Sequence, residues 1–269
     1  MDSDYHLLDT GNGKRLEQFN KIRIVRAAKQ ADWAPSLPKE EWLAADAVFE
    51  NDKWNTELKD FTVHFSDITF SLSLMESGQL GVFPEQQKNW QWLAEITQGE
   101  RHHILNGFAY TGGSTLFSSN HINKVTHLDA SKPAIKRAKQ NLEFSFKSDN
   151  KVRFIQEDVI TFMKKEVKRG KRYDGFIFDP PAFGKGGKGK TWKLSKDLPL
   201  LMELTYELAG GSPSFMLLSA HDPALDHKYL AKTIRKLCPV SAEVESGDLV
   251  MKTQNGNFMN NGYFARFIV

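Results

Sequence analysis

The chain has 269 residues, 40% hydrophobic and 12% aromatic, enough to bury a substantial core in one or two domains. Its net charge of +3 permits an anionic partner without demanding one. A single cysteine, Cys238, excludes an internal disulfide and any multi-cysteine metal cluster, and the eight histidines lack His-Glu-x-x-His spacing, so no metal site is expected.

The first residues, Met1-Asp2-Ser3-Asp4-Tyr5-His6, carry neither the basic stretch nor the apolar core of a signal peptide, and no window of about twenty apolar residues follows, so a cytoplasmic protein away from membranes is expected. Tyr5-His6-Leu7-Leu8 and Leu16-Glu17-Gln18-Phe19 flank the turn residues Gly11-Asn12-Gly13. Further on, Phe61, Val63 and Phe65 alternate before Ser66-Asp67, and Ile68, Phe70, Leu72 and Leu74 alternate after it. Period-two alternation around tight turns predicts antiparallel hairpins, hence a small β-rich region over residues 1–80. Between the hairpins, Trp33 to Lys39 holds Pro35 and Pro38 and reads as an irregular connection.

From residue 86 onward, helix and strand patterns alternate. Helices are predicted at 87–97, 114–120, 131–146, 160–168, 198–209 and 225–237, with strands at 103–108, 125–129, 152–157, 173–179 and 215–219. Apolar strands joined by helices predict an α/β fold, a parallel sheet covered on both faces. The last two apolar segments, 243–252 and 263–269, are separated by Asn- and Gly-rich turns instead of a helix and are expected to close the sheet antiparallel.

In such a sheet, ligands gather outside the carboxyl ends of the strands. The notable residues fall there: a glycine turn from Asn106 to Gly113, then Asp129, Asp158 and Asp179, each closing a predicted strand. The turn's glycines would let the backbone approach a ligand, and the following helix offers amide donors. Its spacing is not Gly-x-Gly-x-x-Gly, which disfavours a nicotinamide dinucleotide. Asp129 can accept hydrogen bonds from ribose hydroxyls or cap the helix beginning at Ser131; Asp158 can face an adenine amino group or cap the helix from Val159. The order of glycine loop, acid, acid and Asp179-Pro180-Pro181 points to a nucleoside-bearing cofactor with a reaction centre at the last acid.

Residues 104–113, 126–135, 156–158 and 178–184 resemble motifs of class I S-adenosylmethionine-dependent methyltransferases. The nearest subgroup contains the large-subunit ribosomal RNA cytosine and guanine methyltransferases, and the resemblance runs from about Gly81 through Leu237. It implies a Rossmann-like seven-stranded methyltransferase domain over 81–269, S-adenosylmethionine as cofactor, and ribosomal RNA as substrate. It also implies that Phe83 and Gln86 lie beside the cofactor, that Asn106, Gly107, Phe108, Tyr110, Thr111 and Gly112 cradle its methionine part, and that Asp129 with Ala130 holds the ribose. Asp158 with Val159 would then face the adenine, and Asp179 the methyl group. The chain departs from the pattern in carrying Asn106 where many methyltransferases have an acid, and in lacking a recognisable N-terminal RNA-binding domain.

Methyl transfer from a sulfonium requires alignment of a nucleophile more than covalent help. Asp179 and the Pro180 carbonyl can accept from an exocyclic amino group, Pro181 stiffens the turn, and Phe183 can stack on a base. Many amino-methyltransferases have an aromatic directly after the second proline, whereas Ala182 intervenes here. Carbon-5 methylation of a pyrimidine would need a thiolate, and Cys238 follows a predicted helix while Leu218-Ser219-Ala220-His221 offers no thiol. An amino nitrogen or another heteroatom is therefore the expected target. Residues 184–193 hold Lys185, Lys188, Lys190, Lys193 and Trp192, a mixture suited to phosphate contact and base stacking. Gly184 to Thr191 formally matches a Walker A frame, but Pro199 and a late helix start argue against phosphate cradling. Two other functions fit the same residues: a small-molecule methyltransferase with this loop as a lid, and a noncatalytic RNA-binding protein of the same fold.

Overall fold

A computed structural model describes residues 1–146, 151–185 and 191–269. The chain forms two compact units: residues 1–87 with 140–145 and 250–261, and residues 88–139 with 146–249 and 262–269. No helix among the described residues is long and apolar enough to cross a membrane.

In the first unit, β1 (Tyr5–Gly11), β2 (Lys14–Phe19), β3 (Ile22–Ala27), β4 (Ala47–Glu50) and β5 (Lys53–Trp54) form one sheet in that order. A helix α1 (Lys39–Leu43) precedes β4, and β6 (Phe61–Phe65) pairs with β7 (Ile68–Leu72) as a separate hairpin. The expected hairpins form: Gly11 pairs with Lys14 across Asn12 and Gly13, both at positive φ, and Phe65 pairs with Ile68 across Ser66-Asp67. Strands β3, β4 and β5 were not anticipated. Within β3, Arg26 points inward to a fully buried Glu17, donating from Nη2 to Oε1 at 3.0 Å, and Tyr5 donates its hydroxyl to the same oxygen at 3.0 Å. Burial alone would raise the Glu17 carboxyl pKa, but Arg15 and Arg26 outweigh it and hold it below the usual range. A charge buried by pairing breaks the apolar alternation from which strands are read.

The second unit is built on a seven-stranded sheet in the order β10-β9-β8-β11-β14-β16-β15, namely Lys151–Gln156, Lys124–Asp129, His103–Gly107, Gly175–Phe178, Phe215–Ala220, Phe258–Ile268 and Glu245–Lys252. The first five are parallel, and β16 runs antiparallel to β14, as expected from the missing helix. Helices α2 (Gln87–Ile96), α3 (Gly113–Ser118), α4 (Lys132–Ser145), α5 (Val159–Lys168), α6 (Leu194–Ala209) and α7 (His227–Arg235) alternate with the strands. Phe176, Phe178, Met216, Leu218 and Phe267 from the sheet pack with Phe162, Leu201, Leu208 and Ile234 from the helices in one apolar core.

Helix α6 starts four residues earlier than expected. Pro199 lies inside it, forgoing one amide bond near the helix start instead of marking it, while Asp197 accepts from the Lys193 amide at 2.8 Å. The segment expected to be a flexible loop begins and ends in a hairpin, β12 (Phe183–Lys185) paired antiparallel with β13 (Thr191–Lys193). Gly184 and Thr191 thus sit in paired strands, and residues 186–190 of that frame lie outside the described residues.

Candidate active site

Four contiguous strands, β10, β9, β8 and β11, deliver the sequence motifs to one edge: Asp158, Asp129, the glycine turn and Asp179, in that spatial order. After β8 the chain doubles back with Phe108 at φ 58°, Tyr110 at φ 49° and Gly112 at φ 95°. Left-handed backbone at two bulky residues is strained by about 1 kcal/mol or more each. The strain is offset by bonds from the Ala109 amide to the Leu128 carbonyl at 3.2 Å and from the Tyr110 amide to Asp129 Oδ2 at 2.8 Å. Gly113 is required by the protein's own packing, since a Cβ there would lie 2.6 Å from the Trp90 indole.

Asn106 lies under this turn with its amide group turned inward. It donates to Thr115 Oγ1 at 2.8 Å, and that hydroxyl lies 2.8 Å from Nδ1 of His127. Thr115 Oγ1 thus accepts from Asn106 and pairs with Nδ1 of His127, tying β8, α3 and β9 together. Burial, opposed in part by the Tyr110 backbone, lowers the imidazole pKa to about 3. The turn therefore rests on a neutral polar relay that the sequence motifs do not disclose, because Thr115 and His127 read as ordinary helix and strand positions.

Asp129 ties the rim together. Its Oδ1 accepts the Ser131 amide at 2.8 Å while Oδ2 holds Tyr110, and Ser131, not Asp129, caps α4 through its hydroxyl and the Ala134 amide at 3.3 Å. Desolvation raises the Asp129 pKa, and the Ser131 and Tyr110 amides pull it back in part. Each carboxylate oxygen has a second lone pair with which to take a hydroxyl. Asp158 caps α5: its Oδ1 accepts the Thr161 amide at 2.9 Å and the Thr161 hydroxyl at 2.7 Å. Val159 is buried in the core beneath Gly107, and Ala130 is exposed at the rim.

At the far end, Asp179 Oδ1 accepts the Ser219 hydroxyl at 2.7 Å and lies 3.3 Å from Nε2 of His221. Neither partner was anticipated; both sit at the end of β14, the strand beside β11. Phe183 projects from β12 with 66% of its surface exposed, and Lys193 Nζ stands 5.7 Å from its ring centre. Trp192 differs from expectation. The residue is only 6% exposed, donates from Nε1 to the Pro181 carbonyl at 2.7 Å and packs on Phe108 at 4.7 Å between ring centres. It therefore anchors the Asp179-Pro180-Pro181 turn from inside and offers no open face to a base.

Phe83 and Gln86 lie in the first unit, on a 3-10 turn in which the Gln86 amide bonds the Phe83 carbonyl at 3.1 Å and Gln86 is buried. Thr111 is buried in the turn, Tyr110 is half-buried, Lys185 ends β12, and Lys188 and Lys190 lie outside the described residues. His102 and His103 diverge, one meeting the edge of Phe215 and the other stacking on Tyr173. The residues present fit an adenosyl-methionine: a carboxylate on the rim with amide-fixed geometry, a turn of left-handed backbone beside it, a second acid one strand away on one side and a third two strands away on the other.

A family model for S-adenosylmethionine-dependent methyltransferases matches residues 39–249. The crystal structure of the SAM-dependent methyltransferase from Agrobacterium tumefaciens superposes with a TM-score of 0.92 at 32% identity, covering 98% of this chain and 90% of that one. The chain belongs to the S-adenosylmethionine-dependent methyltransferase family. S-adenosylmethionine is that family's methyl donor. A SAM-dependent methyltransferase structure from Streptococcus mutans, with a TM-score of 0.74 at 14% identity over 99% of this chain and 75% of that one, shares the fold. Among curated relatives, the ribosomal RNA large subunit methyltransferase I of Aeromonas hydrophila is 31% identical over 104 residues. That match takes in 38% of this methyltransferase chain and 26% of the relative, so the chain spans about a quarter of the relative's length.

Proposed function

We propose that this methyltransferase places a methyl group on a base in RNA, with ribosomal RNA as the substrate class. The observation that carries the reading is Phe183, an exposed aromatic four residues beyond Asp179 with the Lys193 ammonium over its ring. An aromatic face beside a cation takes a base and its phosphate together. The curated relatives named as ribosomal RNA methyltransferases support the same acceptor. So does the distribution of charge: residues 88–269 carry 27 basic against 18 acidic side chains, whereas residues 1–87 carry 9 against 15. The excess of basic side chains favours phosphate contacts in residues 88–269 over residues 1–87. The reading also places the protein in the cytoplasm, with its RNA.

When bound, S-adenosylmethionine supplies a methyl group already activated on a sulfonium. The rim from β10 to β11 spans three strand spacings, roughly 14 Å, which suits an extended nucleoside joined to an amino acid. Asp129 takes the ribose hydroxyls, Asp158 offers its second oxygen to the adenine amino group, and the turn from Gly107 to Gly112 lines the methionine part. Asp179 and Phe183 orient the acceptor base, and Trp192 keeps their turn in place through Pro181. A ring-carbon target would need a thiolate. Cys238 does not serve: it follows α7, its Sγ sits 3.5 Å from the Ala242 carbonyl, and burial pushes its thiol pKa up.

Two measurements test the proposal. Calorimetry with S-adenosylmethionine is expected to show binding that weakens roughly 10- to 100-fold in Asp129→Ala, the loss of a charge-assisted bond. Tritiated donor incubated with RNA from cells lacking this protein is expected to label ribosomal RNA, with affinity falling steeply as salt rises. Absence of label, or an affinity indifferent to salt, rejects an RNA acceptor.

A further inference from the structure

We propose that His221, together with Ser219, is a positioning residue that pins Asp179 as a hydrogen-bond acceptor and thereby restricts the methyl acceptor to an exocyclic amino nitrogen. The inference rests on the methyltransferase reading and goes beyond it by assigning the atom class that is modified.

Ser219 is buried at the end of β14, and its hydroxyl donates to Asp179 Oδ1 at 2.7 Å. The imidazole of His221 brings Nε2 to 3.3 Å from the same oxygen. A carboxylate oxygen has no hydrogen to give, so the nitrogen facing it is the one that carries the proton. The opposite edge of the ring abuts β16. A Cβ on Gly262 would stand 2.9 Å from His221 Nδ1 and 2.6 Å from the Ala220 carbonyl, and Gly262 adopts φ 148°. Position 262 thus accepts only glycine, and its bare backbone leaves room for the ring with Nδ1 toward β16 and Nε2 toward Asp179.

Ser219 and His221 thus both face Oδ1 of the Asp179 carboxylate. A carboxylate only accepts hydrogen bonds, so a base presented to it as methyl acceptor must bring its own N–H. A pyrimidine ring carbon brings none and lacks a thiolate here, and a purine ring nitrogen without hydrogen would set lone pair against lone pair. An amino group meets both demands, with one N–H toward Asp179 and the lone pair toward the methyl. Its lone pair forms the new N–C bond as the C–S bond breaks and that electron pair stays on sulfur. The proton then surplus on nitrogen passes to the Asp179 carboxylate, which is partly exposed, and from it to water.

Long-range proton–nitrogen NMR on histidine-labelled protein reads the tautomer of His221 without any substrate. The expected result is a proton on Nε2; a neutral ring protonated only on Nδ1 overturns the proposal. In the tritium assay with RNA from cells lacking the protein, His221→Leu is expected to lower kcat on the order of 10- to 100-fold, as misplacement of a catalytic group does. Its S-adenosylmethionine affinity should stay within about twofold of wild type, and His221→Gln, which keeps a donor at the Nε2 position, should recover most of the rate. A Gln variant as slow as the Leu variant, or a methyl mapped to a ring atom, overturns the assignment. Failure of the wild-type protein to bind S-adenosylmethionine would instead strike the methyltransferase reading, and the tautomer would still decide the role of His221.

Discussion

Asp158 shows how a single side chain serves structure and ligand from different atoms. The residue type and its place after a strand made two roles readable, cap and adenine acceptor, and the structure gives the cap to Oδ1. Asp158→Ala is expected to cost about 1 kcal/mol of stability, measured by urea denaturation without ligand, in addition to any loss of donor affinity. Trp192 illustrates a side chain whose role was not legible. Flanked by lysines and glycines it has the composition of a surface contact, yet β13 alternates exposed, buried, exposed, and the middle position turns the indole inward to Pro181. His221 and Ser219 were passed over for the opposite reason. Nothing in the pattern of β14 distinguishes them, and only the adjacency of β11 brings them to Asp179.

At the scale of elements, periodicity located the helices and strands of the methyltransferase sheet to within a few residues, because apolar strands and amphipathic helices of ordinary length alternate there. The antiparallel partner β16 was legible from the turn residues before it. The first unit was less so. Its sheet hides a charged pair in the middle, and Arg26 in β3 looks like a solvent position until Glu17 is found diagonally across on β2, two residues from its partner Arg15. Arg26→Met tests that account: it strands the Glu17 carboxylate in a buried site and is expected to destabilise the protein by about 3–5 kcal/mol, whereas the double change Arg26→Met with Glu17→Leu should recover much of the loss. Chemical denaturation of the three proteins reads both outcomes.

For the whole molecule, the buried His127 sets an acid limit. Its pKa is near the ordinary 6.5 when the chain is unfolded and about 3 when folded. Between those values the unfolded chain binds a proton that the folded chain refuses, so stability falls as pH drops through this window, by up to about 1.4 kcal/mol per pH unit, and levels off below it. Above pH 6.5 the imidazole is neutral in both states and contributes no slope. Denaturation midpoints measured from pH 7 to pH 4 should decline accordingly, and His127→Gln should flatten the decline. The indole of Trp90 pressed against Gly113 carries a different warning. Replacing that glycine with alanine is expected to weaken donor binding, read by calorimetry, for want of room inside the fold and with no recognition contact removed. A mutational scan of the turn would then chart the fold's internal crowding and be misread as a footprint of the donor.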